Sequence, residues 1–224
     1  MHLLRIGCVN ADLLGFMVME WCATQETTEI SPVDLATIVT HESVPYWKYM
    51  RHRSSKVAVL QQATEERHIV EREKILDDIA HSAEYPWARL AHLDIPKFFS
   101  DMFESLLGAV WVDSGSLERC KEIVERIGIL PYLRRILSDN VDIRHPKNKL
   151  GELAGKYDRR VKYETEVRIE AGVKDLFCRV LVGGKVIVEV DGGVNPEEVA
   201  TKAAHQAYHL LLCRENESSN EMIE

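Results

Sequence analysis

The apolar positions of residues 1–138 recur mostly at three-and-four spacing, which predicts a succession of helices. Leu3, Leu4, Ile6, Val9, Leu13, Leu14, Met17, Val18 and Trp21 form one or two apolar faces that need partners on more than one side. Residues 24–32 are polar, hold no clean period and read as a loop. Ser31 and Pro32 suit the cap and first position of a further helix. Pro45, Tyr46 and Trp47 mark a turn and a short aromatic helix. Residues 55–81 read as one long helix whose alternating acids and bases support an exposed face, and whose heptads do not persist as a coiled coil requires. Pro86 and Pro96 bracket a short helix. The strongest stripe follows between Pro96 and Gly115, with Phe99, Met102, Phe103, Leu106, Leu107 and Val110 on one side and Gly108 open to a close backbone approach. Ser116 can cap the next helix, in which Leu117, Cys120, Val124 and Ile127 recur before Gly128. Residues 130–137 form one more short helix.

After the polar stretch 138–145 the period changes. A helix opening near Pro146 carries Leu150 and Leu153, and residues 161–167 alternate as a strand. Phe177, Arg179 and Leu181 fall on one face of a second strand, and Cys178, Val180 and Val182 on the other. Gly183-Gly184 is a hairpin turn into a third strand, 185–190. Residues 196–212 form an alanine-rich helix whose buried face uses Val199, Ala200, Ala203, Ala207 and Leu211. Helix, three antiparallel strands and helix make an α+β unit.

Composition narrows the chemistry. The net charge of -8 argues against an indiscriminate grip on nucleic acid, though not against a local basic patch. Arg51, His52, Arg53 and Lys56 are the clearest basic cluster of the first half, read as a solvated loop with RNA phosphate as the competing partner. Five scattered cysteines lack C-x-x-C spacing and point to a reducing, intracellular compartment, cytoplasmic or nuclear. No run is long and apolar enough for a membrane span, and Asn10, Asp12 and Glu20 interrupt the first apolar stretch, unlike a signal peptide. His41, His52, His68 and His81 show no H-E-x-x-H arrangement, so they predict no zinc site. Asp101 and Glu104 interrupt the strongest stripe three residues apart, on one face of the helix. Spacing alone leaves two readings open: a solvent-facing edge, or a carboxylate pair that needs a cation because burial without one is costly.

Lys97, Asp101, Glu104, Ser105, Leu106, Gly108, Ala109, Asp113, Ser114 and Gly115 resemble the second acidic block of the ribonuclease III family. Tyr85-Pro86-Trp87 and residues 97–101 are similar, more narrowly, to the last ribonuclease III domain of fungal Dicer-like proteins. The resemblance implies an all-helical ribonuclease III domain, here incomplete, in which Asp101 and Glu104 are catalytic and hold Mg2+ or Mn2+ beside the scissile phosphate of double-stranded RNA. Residues 4–10 resemble the helix after the family's first acidic block, which makes Asn10, with Lys97, a secondary structural or RNA-side candidate. That first block, which supplies two further carboxylates, has no counterpart in the 224 residues, so the chain alone is expected to be inactive.

The second half resembles a double-stranded RNA-binding domain through Pro146-Lys147-Asn148-Lys149-Leu150, Val182-Gly183-Gly184-Lys185 and Lys202-Ala203-Ala204. Such domains read the shape, 2′-hydroxyls and phosphates of a duplex. The resemblance offers Lys147, Lys149, Lys185 and Lys202 as RNA contacts, while Glu197 and Glu198 stand where the family has basic residues and should weaken the grip. The expected layout is therefore mostly α, with a partial ribonuclease III domain at 1–138, a linker at 139–145, an α-β-β-β-α double-stranded RNA-binding-like domain at 146–214 and a polar tail at 215–224. The expected function is metal-dependent cleavage of double-stranded RNA in RNA silencing, giving short duplexes with overhanging 3′ ends. The expected partners are duplex RNA and either a second copy or a second ribonuclease III domain, with no membrane. The alternatives are a non-catalytic RNA-binding or protein-docking module from a split or truncated gene, and a pseudoenzyme that scaffolds a dimer.

Overall fold

The computed structural model describes residues 7, 9–30, 37–170 and 173–221. They form two compact units, each assembled from separated stretches of chain. One draws on residues 8–66 and 95–135, the other on 67–94 and 136–224 together with Gly7.

In the first unit, Asn10 caps helix α1 (Ala11–Glu20) by accepting a hydrogen bond from Leu13 N at 2.8 Å. Every residue from Leu13 to Met19 is buried, so this part of the apolar start is covered within the unit rather than left open to a partner. Residues 3–6 lie outside the described residues. The loop expected at 24–32 is instead largely strand β1 (Cys22–Ile30), paired antiparallel with β2 (Thr37–Pro45) from Cys22↔Pro45 to Ile30↔Thr37. Pairs such as Thr27↔Thr40 and Thr28↔Val39 show why: β-branched threonines suit a pleated strand although they carry no hydropathy period. The helix start read at 31–35 falls outside the described residues.

A single 3-10 turn (Tyr46–Tyr49) carries Trp47 into the core, edge-on to Phe99 with ring centroids 5.7 Å apart. Helix α2 (Ser55–His81) has the expected length, and its residues 55–66 belong to this unit. Residues 51–56 are all exposed, so the basic cluster is a solvated segment. Helix α4 (Phe98–Ser114) packs on α1, with Phe99, Ser100 and Phe103 buried. The close backbone approach occurs at Gly15, where an added Cβ would meet Ile95 Cγ2 at 2.5 Å. Gly108, where such an approach was expected, has nothing within 4 Å. Ser116 caps α5 (Leu117–Arg126), and Gly128 at φ +96° leads into α6 (Ile129–Ser138).

The second unit contains α3 (Trp87–Leu93), α7 (Pro146–Gly155), the antiparallel sheet β3 (Val161–Glu170), β4 (Val173–Val182) and β5 (Lys185–Asp191), and α8 (Pro196–Glu221). Its core sets Leu150 and Ala154 of α7 and Val199, Ala200, Ala203, Ala204 and Ala207 of α8 against Cys178, Val180, Val182 and Val188 of the sheet. Small alanines let α8 lie close on the strands. Gly183 and Gly184 both have positive φ, as a two-residue hairpin joining β4 to β5 requires. The stretch 139–145, expected to be a linker, is structured. Asp142 N donates to Ala83 O at 2.8 Å, and Tyr85 N donates to Asp142 O at 3.0 Å. The α+β domain thus folds as one body with residues 67–94. No described helix is long and apolar enough to cross a membrane.

Candidate functional site

Asp101 and Glu104 sit in the first two turns of α4, on the edge away from Phe99 and Phe103. Glu104 is exposed and the Asp101 side chain is half exposed, so neither is a buried carboxylate that demands a cation. Lys97, one turn earlier, pairs with Asp101. Its hydrogen bond to Asp101, with the added field of Glu104, raises the Lys97 pKa. Both acids therefore face one ammonium, and the edge presents oxygen donors suited to a hard cation. Two carboxylates fill only part of such a shell. Asn10, the other secondary candidate, is used as the α1 cap.

The four lysines of the second unit differ sharply. Lys149 is 5% exposed and reaches Glu84 at 2.8 Å and Asp142 at 3.2 Å, so its ammonium is committed inside the fold rather than offered to phosphate. Lys147 pairs with Glu197 at 2.7 Å. Lys202 pairs with Glu198 one turn back on α8. Lys185 is exposed on β5 and makes no salt bridge among the described residues. It shares a groove of about 590 Å³ with Arg159 and Arg214, two bases the sequence reading did not single out because they lie outside the matched motifs.

Glu197 and Glu198 also part company. Glu197 is exposed, beside Lys147. Glu198 is fully buried, which corrects the expectation that it faces a phosphate. Its carboxylate accepts from Val194 N at 2.7 Å, from His92 Nδ1 at 2.8 Å and from Lys202. Burial pulls the Glu198 pKa up, but the hydrogen bonds from Lys202, Val194 and His92 outweigh it and hold the group below its ordinary value. Asn195 Oδ1 caps the helix by accepting from Glu198 N at 2.9 Å, and Asn195 Nδ2 donates to Ala91 O at 2.7 Å.

These side chains border a cleft of about 460 Å³ lined by Glu71, Trp87, Arg89, Lys149 and Lys202 among others. At its edge Glu84, His205 and His209 converge. The sequence signal for this group is a four-residue histidine spacing on α8, easily overlooked because the third member lies 121 residues upstream of His205.

A helix-sheet-helix domain of α-β-β-β-α order defines the second half as a double-stranded RNA-binding fold, and the described residues before it are mostly helical, with the antiparallel β1–β2 pair. Residues 139–224 match the family described as Dicer-like protein 2, dsRNA binding domain. The chain as a whole matches fungal Dicer-like protein 2. It is 38% identical to that protein from Cryphonectria parasitica over 94% of this chain, 40% to that of Pyricularia oryzae over 91%, and 37% to that of Coccidioides immitis over 100%. The chain spans only 15–16% of the length of these relatives.

Proposed function

We propose that the chain is a Dicer-like ribonuclease III module acting on double-stranded RNA in RNA silencing. The observation that carries this reading is the open α4 edge on which Asp101 and Glu104 share one exposed counter-ion, Lys97, that a divalent cation can displace. Asp101 and Glu104 would hold Mg2+ or Mn2+, and the ion, when bound, supplies charge stabilisation to the phosphodiester. The two side chains would hold the ion on one helix edge, and the displaced Lys97 ammonium would be free to meet a neighbouring phosphate. Residues 1–224 by themselves present half of a four-carboxylate set, which leaves cleavage by them alone far below a ribonuclease III rate. A second copy or a second ribonuclease III domain is the partner. Trp111, Val112 and Leu117, at 51%, 85% and 72% exposure, offer it an apolar face at the α4–α5 junction.

The second reading, a docking module with weak RNA affinity, is favoured by one observation. Lys147, Lys149 and Lys202 are all neutralised by carboxylates of their own unit, so a phosphate must compete with those pairs. The deciding experiment incubates residues 1–224 with long duplex RNA and Mg2+ or Mn2+, beside the double variant Asp101→Asn, Glu104→Gln. Little or no processing is expected. Cleavage to short overhanging duplexes that the variant abolishes would show that the chain completes the site with its own acids.

A further inference from the structure

We propose that Glu84, His205 and His209 form a zinc site that clips helix α8 to the segment preceding α3. His205 and His209 are four apart on α8, so their rings project from one face in successive turns. His205 Nε2 lies 2.9 Å from Glu84 Oε2 and 3.2 Å from His209 Nε2, and the three ligand atoms all fall within 4.8 Å of one another. Ligands held tetrahedrally at zinc distances lie about 3.3 Å apart, so small side-chain rotations complete the geometry. The contact between the histidines points the same way. One ring nitrogen cannot donate to Glu84 and also to a second ring nitrogen, so a proton serves this arrangement poorly and a cation between the three atoms serves it well.

Two imidazoles and one carboxylate are a donor set for zinc rather than for magnesium, which prefers oxygen throughout. The surroundings complete the case. Lys149 Nζ holds Glu84 Oε1 at 2.8 Å, which fixes the carboxylate with its other oxygen toward His205. Glu84 and His205 both line the cleft, so water or a donor from a bound partner could complete the shell from that side. Three protein ligands with an open position describe a clip of moderate affinity. It is distinct from the Asp101–Glu104 pair, and its test does not depend on RNA cleavage.

Metal-stripped residues 1–224 are titrated with Zn2+ against a chromophoric chelator, and with Co2+ followed by absorption. One zinc is expected at this site. His205→Ala and His209→Ala should each weaken it at least tenfold, while Asp101→Asn leaves it unchanged. Cobalt should give the spectrum of nitrogen and oxygen ligands without a thiolate charge-transfer band. His209 is exposed, so its variants keep the fold, and His209→Gln with circular dichroism supplies a second check. Zinc affinity indifferent to both histidines, or a thiolate spectrum implicating the cysteines, would overturn the proposal.

Discussion

Glu198 is fully buried at the start of α8, and its carboxylate accepts a hydrogen bond from His92 Nδ1 at 2.8 Å. The pair joins the N-terminus of a helix in the α+β domain to the last turn of α3 in the same unit. The acid at this helix N-terminus is thus a structural strut rather than a surface charge.

Glu197 and Glu198 should therefore respond oppositely to substitution. Glu197→Lys removes the exposed partner of Lys147 and adds a cation, so duplex RNA binding should tighten and its salt dependence steepen by about one to two charges. Glu198→Lys removes the buried anion that Lys202 and the His92 ring both reach and puts a second ammonium beside Lys202, which should cost about 3–5 kcal/mol of stability. Filter binding across a salt series and urea unfolding of the two variants separate these effects. Equal stability of both variants would contradict the buried strut.

The lysines should divide in the same way. Lys149→Met leaves Glu84 and Asp142 without their shared buried cation and should cost about 3 kcal/mol or more. Lys185→Ala should leave stability within about 0.5 kcal/mol of the parent while lowering the RNA salt slope by about one. A Lys149 variant that loses RNA affinity at unchanged stability would return that residue to the binding face.

Much of this was legible beforehand. The helix 55–81, the Ser116 cap, the Gly183-Gly184 turn and the alanine face of α8 follow from period and turn chemistry, which are local. The β1–β2 hairpin was not, because its threonines and glutamates carry strand propensity without an apolar alternation. Nor could spacing distinguish Glu197 from Glu198 or Lys147 from Lys149. Neighbours in sequence on a helix point to different sides, and only the packing of α3 against α8 shows which side is covered. The Asp101–Glu104 pair was found from sequence, but its exposure and its Lys97 partner were not determined by it.

Acid should loosen the second unit before its carboxylates titrate. His145 caps α7 by accepting from Lys147 N through Nδ1 at 3.2 Å, which requires a neutral ring, and burial holds its pKa below the ordinary 6.5. The unfolded chain then takes up a proton that the folded one resists. The stability this group contributes is complete above about pH 6.5 and is lost as the pH falls below it. Thermal unfolding between pH 7.5 and 5 should show this fall, and His145→Asn, which keeps an acceptor, should reduce it.

Gly15→Ala tests the packing of α1. The new Cβ would lie 2.5 Å from Ile95 Cγ2, and the overlap should cost about 1–3 kcal/mol. Gly108→Ala, on an open helix surface, should stabilise by about 0.5–1 kcal/mol. Chemical denaturation of both variants gives the comparison, and a neutral Gly15→Ala would contradict the close approach.

The most direct test of the α4 edge as a divalent-cation site is paramagnetic. Mn2+ is added in small steps to isotope-labelled residues 1–224 while amide signals are followed by NMR. The account predicts that signals around Asp101 and Glu104 broaden at the lowest manganese levels, ahead of those near Glu84, and that Asp101→Asn with Glu104→Gln removes the effect. Broadening that spares residues 97–105, or that persists in the double variant, would contradict it.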